Sequence, residues 1–105
     1  MEIFDWLFSI ENIVVYVIGS IKLKDLRNAI RGFLEAMRVV KGTYTDPIYP
    51  GFQRFVESKF DIKCKTAKGW NTLITEHTAN EEAALRMFYE LLHEYYITIR
   101  QSNVC

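Results

Sequence analysis

Cysteine is nearly absent. Two stand in 105 residues, Cys64 and Cys105. They fit no metal-ligand spacing and no disulfide framework, and reduced thiols in a cytosolic protein are the expectation. Proline is as scarce: Pro47 and Pro50 are the two, and both fall in one stretch, "GTYTDPIYPG". Neither sign of charge is in excess, since 13 Lys and Arg meet 13 Asp and Glu. A neutral chain exerts no bulk pull on nucleic acid or anionic membrane. Long apolar runs are missing too. "IVVYVI", Ile13 to Ile18, is the most apolar segment, yet Glu2, Asp5, Glu11 and Asn12 interrupt the approach to it. A spanning helix needs about 20 apolar residues. A secretory leader needs a basic start, and no Lys or Arg precedes Lys22. The segment reads as a buried core element of a protein made and kept in the cytosol.

What is present is apolar bulk. Half of the residues are hydrophobic and 14% are aromatic, which is enough for a packed core and argues against disorder. The length suits one domain, residues 1 to 105.

The apolar residues recur at helical spacing. Ile3, Leu7, Ile10, Val14, Val17 and Ile21 form one stripe. A helix is expected there, although the β-branched cluster at 13 to 17 also suits a short strand. Gly19 would end it and Ser20 would cap the next helix. Leu23, Leu26, Ile30, Phe33, Leu34, Met37 and Val40 mark that second helix, with Gly42 as its stop. The segment Gly42 to Gly51 is a loop by its prolines and glycines, and Pro50 suits the first turn of a third helix. That helix would bury Phe52, Phe55, Val56 and Phe60, with a break near Asp61 to Lys65. A shorter one at about 67 to 76 would bury Trp70, Leu73 and Ile74. Thr78-Ala79-Asn80-Glu81 has the form of a capping box. The last helix carries Ala84, Leu85, Phe88, Leu92, Tyr95, Tyr96 and Ile99 on its apolar side. The fold class is therefore all-α, a compact bundle of four to six helices.

Charge is unevenly placed. Residues 1–21 carry net −3, residues 22–41 net +4, residues 61–75 net +2 and residues 76–105 net −3. The acidic first and last helices could simply attract the basic second one. The alternative is an acidic face offered to a basic partner.

Catalytic patterns are wanting. "HEYYI" holds half of a zinc-protease helix, His93 and Glu94, with Ile97 where the second histidine belongs. His77 and His93 are expected as solvated or locally bonded side chains, and no metal is expected. Phosphate-binding glycine loops and G-x-S-x-G are missing from the sequence. Glu81 and Glu82 are adjacent, so on a helix they diverge. A nucleic-acid reading rests on Lys22, Lys24, Arg27, Arg31 and Arg38, three of which share a helix face, but there is no helix-turn-helix signature. Tyr44 and Tyr49 lie outside every helical stripe and suit interface anchors.

The stretch Gly51 to Tyr96 resembles small bacterial proteins of similar length. The shared elements are the Phe52-Phe55-Val56 spacing, Lys59-Phe60 with Ile62, Lys68 with Trp70, Glu81-Glu82-Ala83, and Phe88-Tyr89-Glu90-Leu91-Leu92 with Glu94. Those proteins look like immunity proteins of contact-dependent inhibition and related polymorphic toxin systems. The resemblance covers under half of the chain and rests mainly on core aromatics. It implies no enzyme and no cofactor. It implies instead a cytoplasmic protein that holds a cognate toxin domain inactive, with a ribonuclease or deoxyribonuclease as the expected target. An acidic helical face would complement a basic nuclease cleft. The chain's overall neutrality departs from the strongly acidic members of this group. The residues expected to meet the partner are Tyr44, Asp46, Tyr49, Glu76, Glu81 and Glu82. A small DNA-binding regulator using residues 22 to 38, or a structural interaction module, are the alternatives.

Overall fold

The first stripe does not fold as one rod. In the computed structural model, which describes residues 2–42, 51–62 and 68–104, it divides into α1 (Glu2–Ser9) and α2 (Val14–Ile18). The residues at the break explain it. Ser9 turns its Oγ back to the Trp6 carbonyl at 2.7 Å, and the Glu11 N–H bonds Phe8 O rather than continuing the α-helical ladder. Ser and Asn compete with the helix for backbone groups in this way. The register shifts as a result. Ile3, Leu7, Ile10 and Val14 stay buried, whereas Val17 and Ile21, expected on the same buried stripe, are 46% and 37% exposed. Residues 13 to 18 contain no strand. Gly19, at φ +80°, closes α2 by donating its N–H to Val15 O.

α3 (Leu23–Lys41) begins without a side-chain N-cap bond. Ser20 instead accepts the Lys22 N–H and donates to Asp25 Oδ2 at 2.6 Å, which stations the chain for the turn. Leu23, Leu26 and Ile30 enter the core, but Val39 and Val40 run past it into solvent. Gly42, at φ +84°, follows the helix as expected. Pro47, Pro50 and the rest of the expected loop at 43–50 lie outside the described residues, as do Cys64 and Cys105.

α4 (Gly51–Lys59) buries Phe52 and Val56. It ends in a Schellman turn, with the Ile62 N–H bonded to Glu57 O, the Asp61 N–H bonded to Ser58 O, and Asp61 left-handed at φ +57°. α5 (Trp70–Glu76) buries Trp70, Leu73 and Ile74. α6 (Glu81–Val104) is the longest described element. Its cap corrects the expected box. Asn80 Oδ1 accepts the Ala83 N–H at 2.8 Å, while Thr78 turns back to the Ile74 and Thr75 carbonyls. The cap sits immediately before the first helical residue, where its oxygen reaches the third N–H. Thr78 stands too early in the chain to do so.

The described helices share one core. Phe52 meets Trp70 and Phe88 edge-on at 5.5 and 5.7 Å, and Trp70 stacks on Phe88 at 5.0 Å. Offset and edge-to-face contacts of this kind are the favoured aromatic geometries. Trp6 stacks on Phe33 at 5.1 Å, tying α1 to α3. Gln53, buried in the core wall, is satisfied by Lys68 O and Glu57 Oε2. Among the described residues no helix is long and apolar enough to cross a membrane.

Candidate functional site

On α6, Glu82, Arg86, Glu90 and His93 recur at steps of four, four and three, so they share one helix face. That face meets the turn between α1 and α2. Together with Glu11, Asn12, Leu85 and Tyr89 they line an open cleft of about 420 Å³. Three carboxylates and one guanidinium face it, so its charge is negative.

His93 pins the two walls of the cleft together. Its Nε2 lies 2.7 Å from Glu11 Oε1, and its ring stacks on Phe8 at 4.4 Å. Tyr89 forms the floor. Its hydroxyl donates to Leu7 O at 3.0 Å from a buried position. Leu7 O is one of the last carbonyls of α1, which the helix itself does not satisfy. Burial first, and the nearby Glu11 charge second, push the Tyr89 phenol far above its ordinary range. It therefore remains a neutral donor.

The carboxylates differ in what they already hold. Glu82 reaches Arg86 at 3.5 Å, with both side chains well exposed. Such a pair is worth about 0–1 kcal/mol. Glu11 is engaged by His93. Glu90 makes no ion pair among the described residues. An incoming Lys or Arg would thus meet one unpaired carboxylate and one that is loosely paired.

The other expected partner-binding residues do not gather here. Glu76 and Glu81 lie beside a second, smaller depression of about 290 Å³, with Lys22, Lys24, Asn71, Thr72 and Thr75. There the lysines offset the acids, and Glu76 is also held by Lys68 Nζ at 2.9 Å. Of the acidic trio, Glu82 alone enters the cleft. Tyr44, Asp46 and Tyr49 lie outside the described residues.

Glu11, Glu90 and His93 went unselected in the sequence. The α6 spacing could have revealed Glu90 and His93. The link to Glu11, 82 residues away, has no local signal. The half zinc motif is occupied otherwise: Glu94 pairs with Lys59 at 3.2 Å, and Ile97 is exposed. His77 bonds to its own helix, with Nδ1 at 2.7 Å from Leu73 O, and stacks on Phe60. Among the described residues no three His, Cys, Asp or Glu side chains converge as a metal site. On the basic helix, Arg27 is turned inward to Asn71 at 3.2 Å and Arg38 pairs with Glu35. The face expected for nucleic acid is correspondingly depleted.

No protein-family model, no curated protein and no solved structure matches this chain.

Proposed function

We propose that the chain is a cytoplasmic binding protein that neutralises a bacterial toxin domain, in the manner of an immunity protein. Its partner would be a ribonuclease or deoxyribonuclease whose basic active site is occluded. The observation that carries the reading is the open cleft in which Glu11, Glu82 and Glu90 outnumber Arg86. Basic groups of a nuclease would seat against Glu82 and Glu90, with α6 supplying a rigid face. The sequence resemblance over 51 to 96 points the same way. Tyr44, Asp46 and Tyr49 would add contacts from their own segment. Neither a cofactor nor catalysis by this chain enters the reading.

The test is protection of growing cells that express the toxin domain encoded beside this chain. Glu82→Lys combined with Glu90→Lys should abolish protection while keeping the helical circular dichroism spectrum. The melting temperature falls somewhat, because Glu82 supports the α6 dipole and pairs with Arg86, but both side chains are exposed and the core is untouched. If the carboxylates sit at the rim, each loss is about 0.2–1 kcal/mol. If they are desolvated by the toxin, it is roughly 2–5 kcal/mol and shows as faster dissociation. Arg31→Glu, on the exposed side of α3, should protect as the wild type does. Full protection by the double variant, with failure of Arg31→Glu, would move the interface to the basic helix.

A further inference from the structure

The smaller depression beside α5 holds a buried amide that the fold leaves half used. Asn71 is 8% exposed. Its Oδ1 accepts a hydrogen bond from Arg27 at 3.2 Å. A guanidinium has donors and no acceptor, so it can take only the oxygen of the amide. The orientation of Asn71 is thereby fixed, with its nitrogen on the other side. That nitrogen makes no hydrogen bond among the described residues, and Asn71 lines the depression of about 290 Å³. A buried polar atom ordinarily has a partner. Lys22 and Lys24 stand at the same depression and make no ion pair among the described residues. The two acids differ. Glu76 is held through both oxygens by Lys68 at 2.9 Å, whereas Glu81 is unpaired among the described residues. The depression shares no lining residue with the acidic cleft.

We propose that this depression binds a free α-amino acid as its zwitterion. The ligand's carboxylate accepts from Asn71 Nδ2 and from the Lys22 and Lys24 ammonium groups, and its own ammonium donates to Glu81. The unused donors select the anionic end. Asn71 Nδ2 and both lysines offer only N–H groups, which a carboxylate satisfies with strong, charge-assisted bonds. Glu81 selects the cationic end. A simple anion would meet that carboxylate, and a simple amine would meet the two lysines. A ligand that carries both charges meets neither repulsion. The volume sets the size. At about 30 Å³ for a water-sized group, the depression takes roughly ten non-hydrogen atoms, which suits an amino acid and excludes a nucleotide. The site does not rest on toxin binding, and the two can fail separately.

Thermal unfolding of the full chain with each of the common free amino acids at millimolar concentration tests it. Acetate, methylammonium and inorganic phosphate serve as single-charge probes. At least one amino acid should raise the melting temperature, and titration calorimetry with it should give one site per chain. The three single-charge probes should leave the melting temperature unchanged. Asn71→Asp keeps an acceptor for Arg27 and removes the N–H donors. It should retain the circular dichroism of the wild type and bind that amino acid about tenfold more weakly or worse. Lys22→Gln combined with Lys24→Gln, both at exposed positions, should weaken binding too without involving the core. Glu81→Gln should do the same, with its own ligand-free melting temperature as the reference, so any loss in α6 stability does not enter. A chain that no amino acid stabilises would overturn the proposal. An equal shift with acetate or phosphate would also overturn it, leaving an adventitious ion only. Unchanged affinity in folded Asn71→Asp, or in the double lysine variant, would do so as well.

Discussion

Glycine at position 51 is required by a neighbour rather than by backbone conformation. A Cβ placed there would overlap the Tyr95 hydroxyl, reaching Oη before anything else. Tyr95 in turn packs edge-on against Phe52 at 5.6 Å and lies beside Phe55 at 5.5 Å. The ring cannot retreat without disturbing the core. Gly51→Ala should destabilise by about 1–3 kcal/mol, the usual range for overpacking. Tyr95→Phe in the same chain removes the overlapping oxygen and should recover most of that loss. Urea denaturation of the two single variants and the double one measures the coupling. Additive effects would show that the hydroxyl is not what excludes the side chain. Gly19 and Gly42 differ in kind. Their positive φ makes any other residue strained, though open space surrounds both.

Helix α6 depends on how its first turn is satisfied. Asn80 Oδ1 takes one of the amides that have no partner within the helix. Glu81 and Glu82 add negative charge where the helix dipole favours it. Asn80→Ala should cost about 1 kcal/mol, within the measured range of roughly 0.5–2 for lost caps. Glu81→Ala should cost less, because Asn80 rather than a Thr78–Glu81 box holds the first turn. Thermal unfolding of the two variants ranks them. An equal or larger loss at Glu81 would restore the capping box. The ranking matters for function, because Glu82 and Glu90 extend from the helix that Asn80 starts. A frayed first turn would lower partner affinity without touching a contact residue.

Across the whole molecule, the Tyr89 hydroxyl joins the last helix to the first. It satisfies Leu7 O at the end of α1 while lying under the acidic cleft. Removing it in Tyr89→Phe leaves a buried carbonyl without its donor and should cost about 1–3 kcal/mol. The same residue makes stability depend on alkaline pH. Its folded-state pKa is raised above the unfolded value of about 10. The neutral form is therefore favoured by folding. Its contribution is fully present below pH of about 10 and declines as pH rises above that value, because the unfolded chain ionises first. Urea midpoints of the wild type should fall from about pH 10 upward, and those of Tyr89→Phe should fall less steeply. Parallel curves for the two proteins would show that Tyr89 does not carry the effect.

The sequence by itself determined the helical class, because apolar residues at steps of three and four leave little choice of period. It also marked Gly19, Gly42 and the Asp61 region as breaks, and a left-handed residue stands at each. The core aromatics Phe52, Trp70 and Phe88 were legible for the same reason as the class. Tertiary structure decided what periodicity cannot express. The break at residues 10 to 13 rotated α2, so Val17 and Ile21 face outward although their spacing matches Val14. A stripe records register only while the helix is continuous. Asn80 displaced Thr78 as the cap because α6 begins at Glu81, later than the Thr-x-x-Glu pattern suggests. Glu76, Glu81 and Glu82, close in sequence, were divided between two depressions by the bend between α5 and α6. Glu11 was brought to His93 and Glu90 from the far end of the chain. Such a pairing depends on how α1 packs on α6, and no local pattern encodes it.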